Sequence, residues 1–394
     1  MAGTISRGIK APIIRQGDDI VKIVADSVLT AAQEDGFTLH ERDVVAVTEA
    51  VVARADGNYA STDDIAADIR AKFGGETVGV IFPIQSRNRF AICLRGIARG
   101  AKKVVLMLSY PADEVGNHLF DEDVLDRSGI NPYTDVLSLS QYREAFGYEK
   151  HPFTGMDYVT YYEKLIEEEG AEAEIIFANH AEAILPYTKN VLCCDIHTRE
   201  RSRRRVTAAG AEKVYTLCDI LSAPVNGSGY NAEYGLLGSN KATESTVKLF
   251  PKNAQAVAEG IQKELLARTG VTVEAMVYGD GAFKDPVGKI WELADPVVGA
   301  GYTDGLMGLP NEVKLKFLAD NDFANLTGDA LEEAIRQRIR EKEGNLKGKM
   351  TSEGTTPRRL TDLIGSLCDL TSGSGDKGTP IVLVQNYFNN YATK

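Results

Sequence analysis

The feature that most constrains the fold is an alternation of apolar runs and helical patterns between about residue 75 and residue 228. The apolar runs are TVGVIF, KKVVLMLS, AEIIFA, NVLCCDI and KVYTLCDI. Short apolar runs that alternate with helices are typical of parallel strands buried on both faces. The sequence therefore predicts an α/β unit here. No G-x-G-x-x-G motif opens any of its helices, so a dinucleotide cofactor is not supported.

The segments on either side of this unit have other patterns. Before it, DDIVKIVADSVLTAAQ and STDDIAADIRAKFGG predict helices, and between them Val44–Val47 predicts a buried strand that continues irregularly towards Arg54. After it, a helix ends on Gly270, the strand VTVEAMVYGDG follows, and the C-terminal part predicts a helix, a glycine loop and the strand IVLV.

Charge and composition exclude several classes of partner. Fifty-six acidic and 44 basic residues leave a net charge of −12, the wrong sign for a protein that binds nucleic acid mainly through phosphates. The apolar runs fall far short of the ~18 residues of a membrane helix, and the N-terminus lacks the apolar segment of a signal peptide. We therefore expect a cytoplasmic protein with no nucleic-acid or membrane partner. The five cysteines lack C-x-x-C spacing, which argues against zinc or disulfides.

Glycines cluster in loops beside apolar strands, where a bare backbone can approach a phosphate. The strongest such loop is T-S-G-S-G-D-K-G-T-P at 371–380, which precedes IVLV. Its glycines and hydroxyls allow backbone N–H groups to face an anion, and Lys377 adds positive charge. The loop is not a Walker A motif, and an ordinary flexible turn is the alternative.

Asp280 lies between two glycines at the end of an apolar strand, in M-V-Y-G-D-G-A-F-K-D-P at 276–286. A carboxylate on a tight backbone there suits a Mg²⁺ or Mn²⁺ ligand, and Asp285 is a second ligand or a turn residue. Because Asp-Gly is also a plain turn signal, the metal site is one of two hypotheses.

Two further loops carry polar residues of interest. In Y-G-L-L-G-S-N-K at 234–241, Asn240 and Lys241 are placed to contact phosphate, although a simple loop accounts for them equally well. In C-D-I-H-T-R at 194–199, His197 to Arg199 follow a predicted parallel strand, at the end where α/β sheets bind ligands. A basic helix face is the alternative.

Five segments, in order along the chain, resemble motifs of the γ-glutamyl ligase family of the deazaflavin coenzyme F(420). G-I-K-A-P-I-I-R-Q-G-D-D-I resembles the family's opening G-L-P-x-I-x-x-G-D-D-L, and V-V-A-V-T-E-A-V-V-A-R-A-D-G resembles its strand ending in V-S-K-A-E-G. Y-G-L-L-G-S-N matches part of A-G-I-D-x-S-N. R-T-G-V-T-V-E-A-M-V-Y-G-D-G resembles T-G-x-x-V-x-V-I-x-x-D, and D-L-T-S-G-S-G-D-K-G-T-P resembles L-x-x-G-E-G-x-x-G-x-P. No single motif is highly specific, but five in the family's order are.

This resemblance implies a nucleotide-dependent ligase. In the family, GTP activates a carboxylate as an acyl phosphate, and the amine of glutamate displaces phosphate to form a γ-linked amide; Mn²⁺ or Mg²⁺ neutralises the transferring phosphoryl group. It implies GTP or ATP as co-substrate, L-glutamate and a small carboxylate acceptor as partners, and a homodimer. Position by position, the implied nucleotide site comprises Pro12, Ile13, Ile14, Arg15, Arg54, Asn240, Gly373, Ser374, Gly375, Asp376 and Gly378. The catalytic candidates are Asp280 and Lys377, and the metal candidates are Asp280 and Asp285.

The chain departs from the family pattern at three positions. Leu237 stands where the family has an acidic metal ligand, and Ser374 stands near the glutamate of its G-E-G loop. Arg54 replaces a lysine, which keeps the charge but changes phosphate geometry. Since only one of several metal carboxylates is kept, other acids such as Asp285 or Asp376 are candidates to replace the missing ones.

The family motifs stop near residue 73 and resume near residue 233. This spacing predicts an α+β ligase core assembled from both chain ends, 1–74 and 233–394, with an α/β domain inserted at 75–232. An insert of this size can rebuild the acceptor pocket. Two alternatives therefore stay open: a ligase acting on another carboxylate acceptor, such as a folate-like one, and a non-catalytic nucleotide-binding protein.

Overall fold

The computed structural model describes residues 3–152, 154–280, 283–284, 291–292, 295–352, 358–373 and 375–393. Its strands, in chain order, are β1 Ile5–Ile9, β2 Val44–Thr48, β3 Tyr59–Ser61, β4 Thr77–Ile81, β5 Lys103–Leu108, β6 Leu137–Ser138, β7 Glu172–Phe177, β8 Asn190–Cys193, β9 Lys213–Thr216, β10 Asn240–Lys241, β11 Thr246–Lys248, β12 Glu274–Tyr278, β13 Phe283–Lys284, β14 Trp291–Glu292, β15 Gly299–Tyr302 and β16 Ile381–Gln385.

The α-helices alternate with these strands over most of the chain. They are α1 Ile20–Asp35, α2 Glu49–Ala55, α3 Thr62–Phe73, α4 Phe90–Gly100, α5 Glu122–Ser128, α6 Leu139–Phe146, α7 Tyr158–Glu168, α8 Arg199–Ala208, α9 Ala254–Thr269, α10 Leu315–Phe317, α11 Gly328–Arg340 and α12 Leu360–Thr371. Within the described ranges, no helix combines the length and apolar character needed to cross a membrane.

A five-stranded mixed sheet joins the two ends of the chain. Its strand order is β1-β16-β2-β12-β15, so the last strand of the chain lies between the first two. Strands β2 and β12 run parallel, whereas β16 is antiparallel to both β1 and β2. The predicted α+β core built from both chain ends is confirmed.

A six-stranded sheet forms the inserted α/β unit. Its order is β6-β7-β5-β4-β8-β9, and all pairings are parallel except that of the short edge strand β6. The chain adds β5 and β7 on one side of β4 and then returns to add β8 and β9 on the other. In sheets of this kind, ligands bind beyond the carboxyl ends of the strands where the order reverses, here β4 and β8.

Both sheets are buried on both faces, because successive side chains of a strand point to opposite sides. On one face of the five-stranded sheet, Val45, Val47 and Val277 pack with α1 and α9. On the other face, Ala46 and Met276 pack with α12. The six-stranded sheet likewise packs against α3, α4 and α7 on one face and α8 on the other. The apolar runs in the sequence reflect this two-sided burial.

One local prediction is wrong. The apolar run after Thr48 does not continue as an irregular strand, but forms the helix α2 from Glu49 to Ala55. Thr48 has extended backbone angles and the helix begins immediately after it. Alanine, glutamate and arginine favour a helix. Periodicity alone does not distinguish the strand β2 from the helix α2 that follows it, because both are apolar.

Helix α3 joins the two units of the fold. Although it precedes residue 75, its residues Ile65, Ile69 and Phe73 pack in the core of the six-stranded sheet. Contact with α4 is so close that a Cβ added to Gly96 would lie 2.5 Å from the Cβ of Ile65. The domain boundary at 74/75 stays a prediction, and α3 packs on the side of the inserted unit.

We predict that Gly96→Ala destabilises the protein. Alanine at an open helical position gains up to about 1 kcal/mol over glycine, but overpacking against Ile65 costs about 1–3 kcal/mol, so we expect a net loss. Denaturant unfolding followed by circular dichroism measures it. The control is Gly344→Ala, where no atom lies within 4 Å of the added Cβ. A Gly96→Ala protein as stable as this control would contradict the close α3–α4 contact.

Candidate active site

The register of the five-stranded sheet brings four loops to one edge. Ile9, Ile381, Val47 and Val277 lie side by side across β1, β16, β2 and β12. Four segments therefore meet at the same side of the sheet. They are the segments that follow β1, β2 and β12, and the glycine loop that precedes β16. Four of the five sequence motifs lie in these segments, and the fifth, at 234–240, lies outside them.

A cleft of about 780 Å³ opens between this edge and the inserted unit. From the sequence-predicted site, it is lined by Pro12, Ile13, Ile14, Arg54, Asn240, Asp280, Gly373, Gly375 and Gly378. Its other wall is the loop after β4, Ile84 to Arg89, with Asn117 and His151 from later loops of the insert and Tyr158 from the start of α7. The structure thus brings most of the predicted residues together.

The remaining predicted residues lie elsewhere. Arg15, Asp376 and Lys377 are exposed and stand outside the cleft lining. The stem of Lys377 packs over Gly373, where an added Cβ would lie 2.5 Å from the Cβ of Lys377. Ser374 and Asp285 lie outside the described residues.

The glycine loop is attached to the other loops of the edge by backbone hydrogen bonds. The amide of Ala11 donates to the carbonyl of Gly378 at 3.2 Å, and that of Thr48 donates to Pro380 at 3.0 Å. Gly378 has a positive φ of 63°, which glycine adopts without strain. The loop is therefore held against the N-terminal loop and the start of α2.

A charged cluster spans the cleft between the insert and the core. Arg89 of the insert pairs with Asp280 and, at 2.7 Å, with the fully buried carboxylate of Asp295. Asp295 also accepts the backbone amide of Asp280 at 2.7 Å. Gly279 permits this approach, because a Cβ there would lie 2.5 Å from Oδ2 of Asp295. Burial opposes the charge of Arg89, but the adjacent Asp295 and Asp280 carboxylates raise its pKa, so it stays charged.

A second ion pair lies beside this cluster. Both carboxylate oxygens of Glu49, the first residue of α2, lie 3.0 Å from Nζ of Lys248. The pKa of Glu49 is raised to about 7, chiefly by burial and to a smaller extent by Asp295, although Lys248 opposes the shift. Glu49, Arg89 and Asp280 thus line the cleft, while Asp295 and Lys248, which lie outside its lining, pair with Arg89 and Glu49.

The loop that carries Arg89 is itself firmly held. The buried carboxylate of Asp113 accepts the backbone amides of Gln85, Val115 and Asn117 and the side-chain amide of Asn117. Ser86 donates its amide to the hydroxyl of Tyr162 at 2.8 Å. The side-chain oxygen of Ser86 accepts the amide of Arg89 at 3.0 Å. Arg89 is therefore positioned by its own loop as well as by its acidic partners.

Sequence reasoning missed Arg89, Glu49, Lys248 and Asp295. A usable signal exists for Arg89, because the polar run Q-S-R-N-R begins four residues after the end of the apolar strand β4, and strand ends are where α/β sheets bind ligands. By the same reasoning His197 was placed at the end of β8, which is correct. There, however, the backbone amide of His197 and the hydroxyl of Thr198 donate to Glu114 of the insert. These donors are therefore already hydrogen-bonded within the protein.

The described residues do not fit a protein-held metal ion at Asp280. Asp280 and the neighbouring Asp295 are both paired with the guanidinium of Arg89. The positive charge of this group repels a divalent cation. Leu237, which the motif resemblance aligns with an acidic residue, is a buried core residue. In the described part of the chain, no group of three His, Cys, Asp or Glu side chains is placed to hold a metal.

Comparison with known proteins places the chain in a family. The sequence model of the family described as F420-0:Gamma-glutamyl ligase matches residues 8–386. The chain therefore belongs to this family, and it is an enzyme of the class that forms γ-glutamyl bonds. The matched range includes the inserted unit. A search of curated proteins gave no significant match.

We predict that Asp113→Asn destabilises the protein at pH 8. Burial raises the pKa of Asp113 to about 6, so the carboxylate is ionised at pH 8 and accepts hydrogen bonds through both oxygens. An amide group would turn one acceptor into a donor that faces other donors, which costs about 1–3 kcal/mol. Denaturant unfolding measures the loss. Asp121→Asn, at the exposed N-cap of α5, is the control and should change stability by less than about 0.5 kcal/mol.

Proposed function

We propose that this protein is a GTP- or ATP-dependent ligase that joins L-glutamate to a small carboxylate acceptor through an acyl phosphate. The observation that carries the proposal is the convergence of the N-terminal loop, Arg54, Asn240 and the glycine loop on one cleft. Glycine loops with accessible backbone N–H groups, beside arginines, are suited to phosphate. Arg54, Arg87 and Arg89 bring local positive charge to a lining that also contains Glu49, Asp280 and Asp369.

The two walls of the cleft suggest a division of the substrates. The core side, with the glycine loop and Arg54, would hold the nucleotide. The insert side, with Gln85, Arg87 and Tyr158, would hold the acceptor, so that the acceptor carboxylate meets the terminal phosphate between them. This arrangement is supported by the lining of a single cleft by both units.

The chemistry then runs in two steps. The acceptor carboxylate oxygen forms a bond to the terminal phosphorus, and the bond to the nucleoside diphosphate breaks. The amine of glutamate next attacks the acyl carbon, inorganic phosphate leaves, and the amine loses a proton as the amide forms. Fixed positive charge at the phosphates stabilises the first step. Any Mg²⁺ or Mn²⁺ would arrive chelated by the nucleotide phosphates.

A coupled assay tests the reaction. Purified protein is incubated with GTP or ATP, Mg²⁺, L-glutamate and a panel of carboxylates that includes deazaflavin and folate types. Release of inorganic phosphate should require nucleotide, glutamate and acceptor together. Mass spectrometry should show a glutamyl increment on the accepted compound. Phosphate release that does not depend on glutamate would overturn the proposal.

We predict that Gly375→Val abolishes nucleotide binding without loss of stability. Gly375 lines the cleft and has no atom within 4 Å of an added Cβ, so the side chain fits the protein but fills the space next to the backbone. Nucleotide at 100 times its dissociation constant adds about 2.7 kcal/mol of apparent stability, which thermal unfolding detects. We expect this shift in the wild type and in the distant control Gly344→Val, but not in Gly375→Val. An equal shift in all three proteins would remove the glycine loop from the nucleotide site.

A further inference from the structure

Asp280, the metal-ligand candidate of the sequence, is already paired with a cation of the protein. Arg89 is mostly buried, with 15% of its side chain exposed, and it bridges Asp280 and Asp295. Asp280, with 30% of its side chain exposed, is the more accessible of the two acids and lines the cleft. Arg89 lines the same cleft, so its charge faces the space in which phosphates would lie.

The pair is built across the two units of the fold. Arg89 precedes α4 of the insert, whereas Asp280 follows β12 of the core. On the insert side, Ser86 holds the backbone of Arg89, and the amide of Lys241 donates to the adjacent carbonyl of Asn88 at 2.6 Å. On the core side, Asp295 holds the backbone of Asp280. The backbone beside each partner is thus held by hydrogen bonds.

We propose that Arg89, supplied by the inserted unit, provides the positive charge that a protein-held divalent cation would provide beside Asp280. Asp280 and Asp295 then act as positioning residues that anchor this guanidinium, and the protein itself holds no metal at this place. The loss of an acidic ligand at Leu237, which is buried in an apolar core, agrees with this exchange. The inference rests on the proposed function only for the statement that phosphates lie beside Arg89.

Mn²⁺ alone is the direct probe, because oxygen ligands of carboxylates bind it and its free form is measured by electron paramagnetic resonance. The titration uses full-length protein without nucleotide. We expect wild type and Asp280→Asn to bind Mn²⁺ equally weakly. In Arg89→Ala the two carboxylates lose their cation, and we expect binding to tighten at least ~10-fold. Adding Asp280→Asn to Arg89→Ala should reverse this gain.

Two variants control for charge. Arg87→Ala removes a positive charge from the same loop but leaves the Arg89 pairs intact, and Arg89→Lys keeps the charge at the site. Both should bind Mn²⁺ as the wild type does. Tight Mn²⁺ binding by the wild type that is lost in Asp280→Asn would overturn the proposal, and so would the absence of a gain in a folded Arg89→Ala protein. If Arg89→Ala does not fold, the comparison of wild type with Asp280→Asn still decides the question.

Nucleotide binding without metal tests the positive role of Arg89. Thermal shifts with GTP or ATP are measured in EDTA and in Mg²⁺. We expect the wild type to keep a shift in EDTA, Arg89→Ala to lose it, and Arg89→Lys to keep part of it, since lysine cannot reproduce the planar fork of arginine. A wild-type shift that needs Mg²⁺ would count against the proposal. No shift in either condition would count against the nucleotide dependence itself, while the Mn²⁺ titration would still decide the role of Arg89.

Discussion

The pairing of β16 with both β1 and β2 is the constraint on which the rest of the structure depends. This strand is the last of the chain, yet it pairs with both of the first two strands. Because its direction is antiparallel to β2, its beginning lies at the edge where β2 and β12 end. The glycine loop, the N-terminal loop, α2 and Asp280 meet there as a consequence. A candidate site built from residues 11 to 380 thus depends on the placement of one strand, which pairs on both sides.

The inserted unit contributes to the site by the same physical rule. Its parallel sheet reverses strand order between β4 and β8, and the loop after β4 forms one wall of the cleft. Ion pairs from this loop to Asp280 and Asp295 cross the gap between the units. A buried, charged guanidinium requires such partners, because an unpaired charge away from water is costly. The charges therefore fix the two units against each other as well as shaping the site.

Much of the fold was predictable because burial on both faces leaves a clear pattern in the sequence. The runs that became β4, β5, β7, β8 and β9 are mostly apolar, and the earlier helices α1 and α3 carry caps such as Gly36 and Ser61. The segment after Thr48 failed because a short apolar helix and a buried strand look alike in sequence. The family motifs placed the core segments, and the match to residues 8–386 agrees with them.

The sequence by itself determined the family, the α+β class and the loops that meet at the cleft, since local patterns and ordered motifs carry that information. The partners of the charged groups were decided by the tertiary structure alone. Arg89 and Asp280 are 191 residues apart, and Glu49 and Lys248 are 199 apart. No local pattern encodes such pairs, because they form only when strand order and loop direction bring distant segments together. For that reason the sequence suggested Asp280 as a metal ligand, and the fold gives it an arginine.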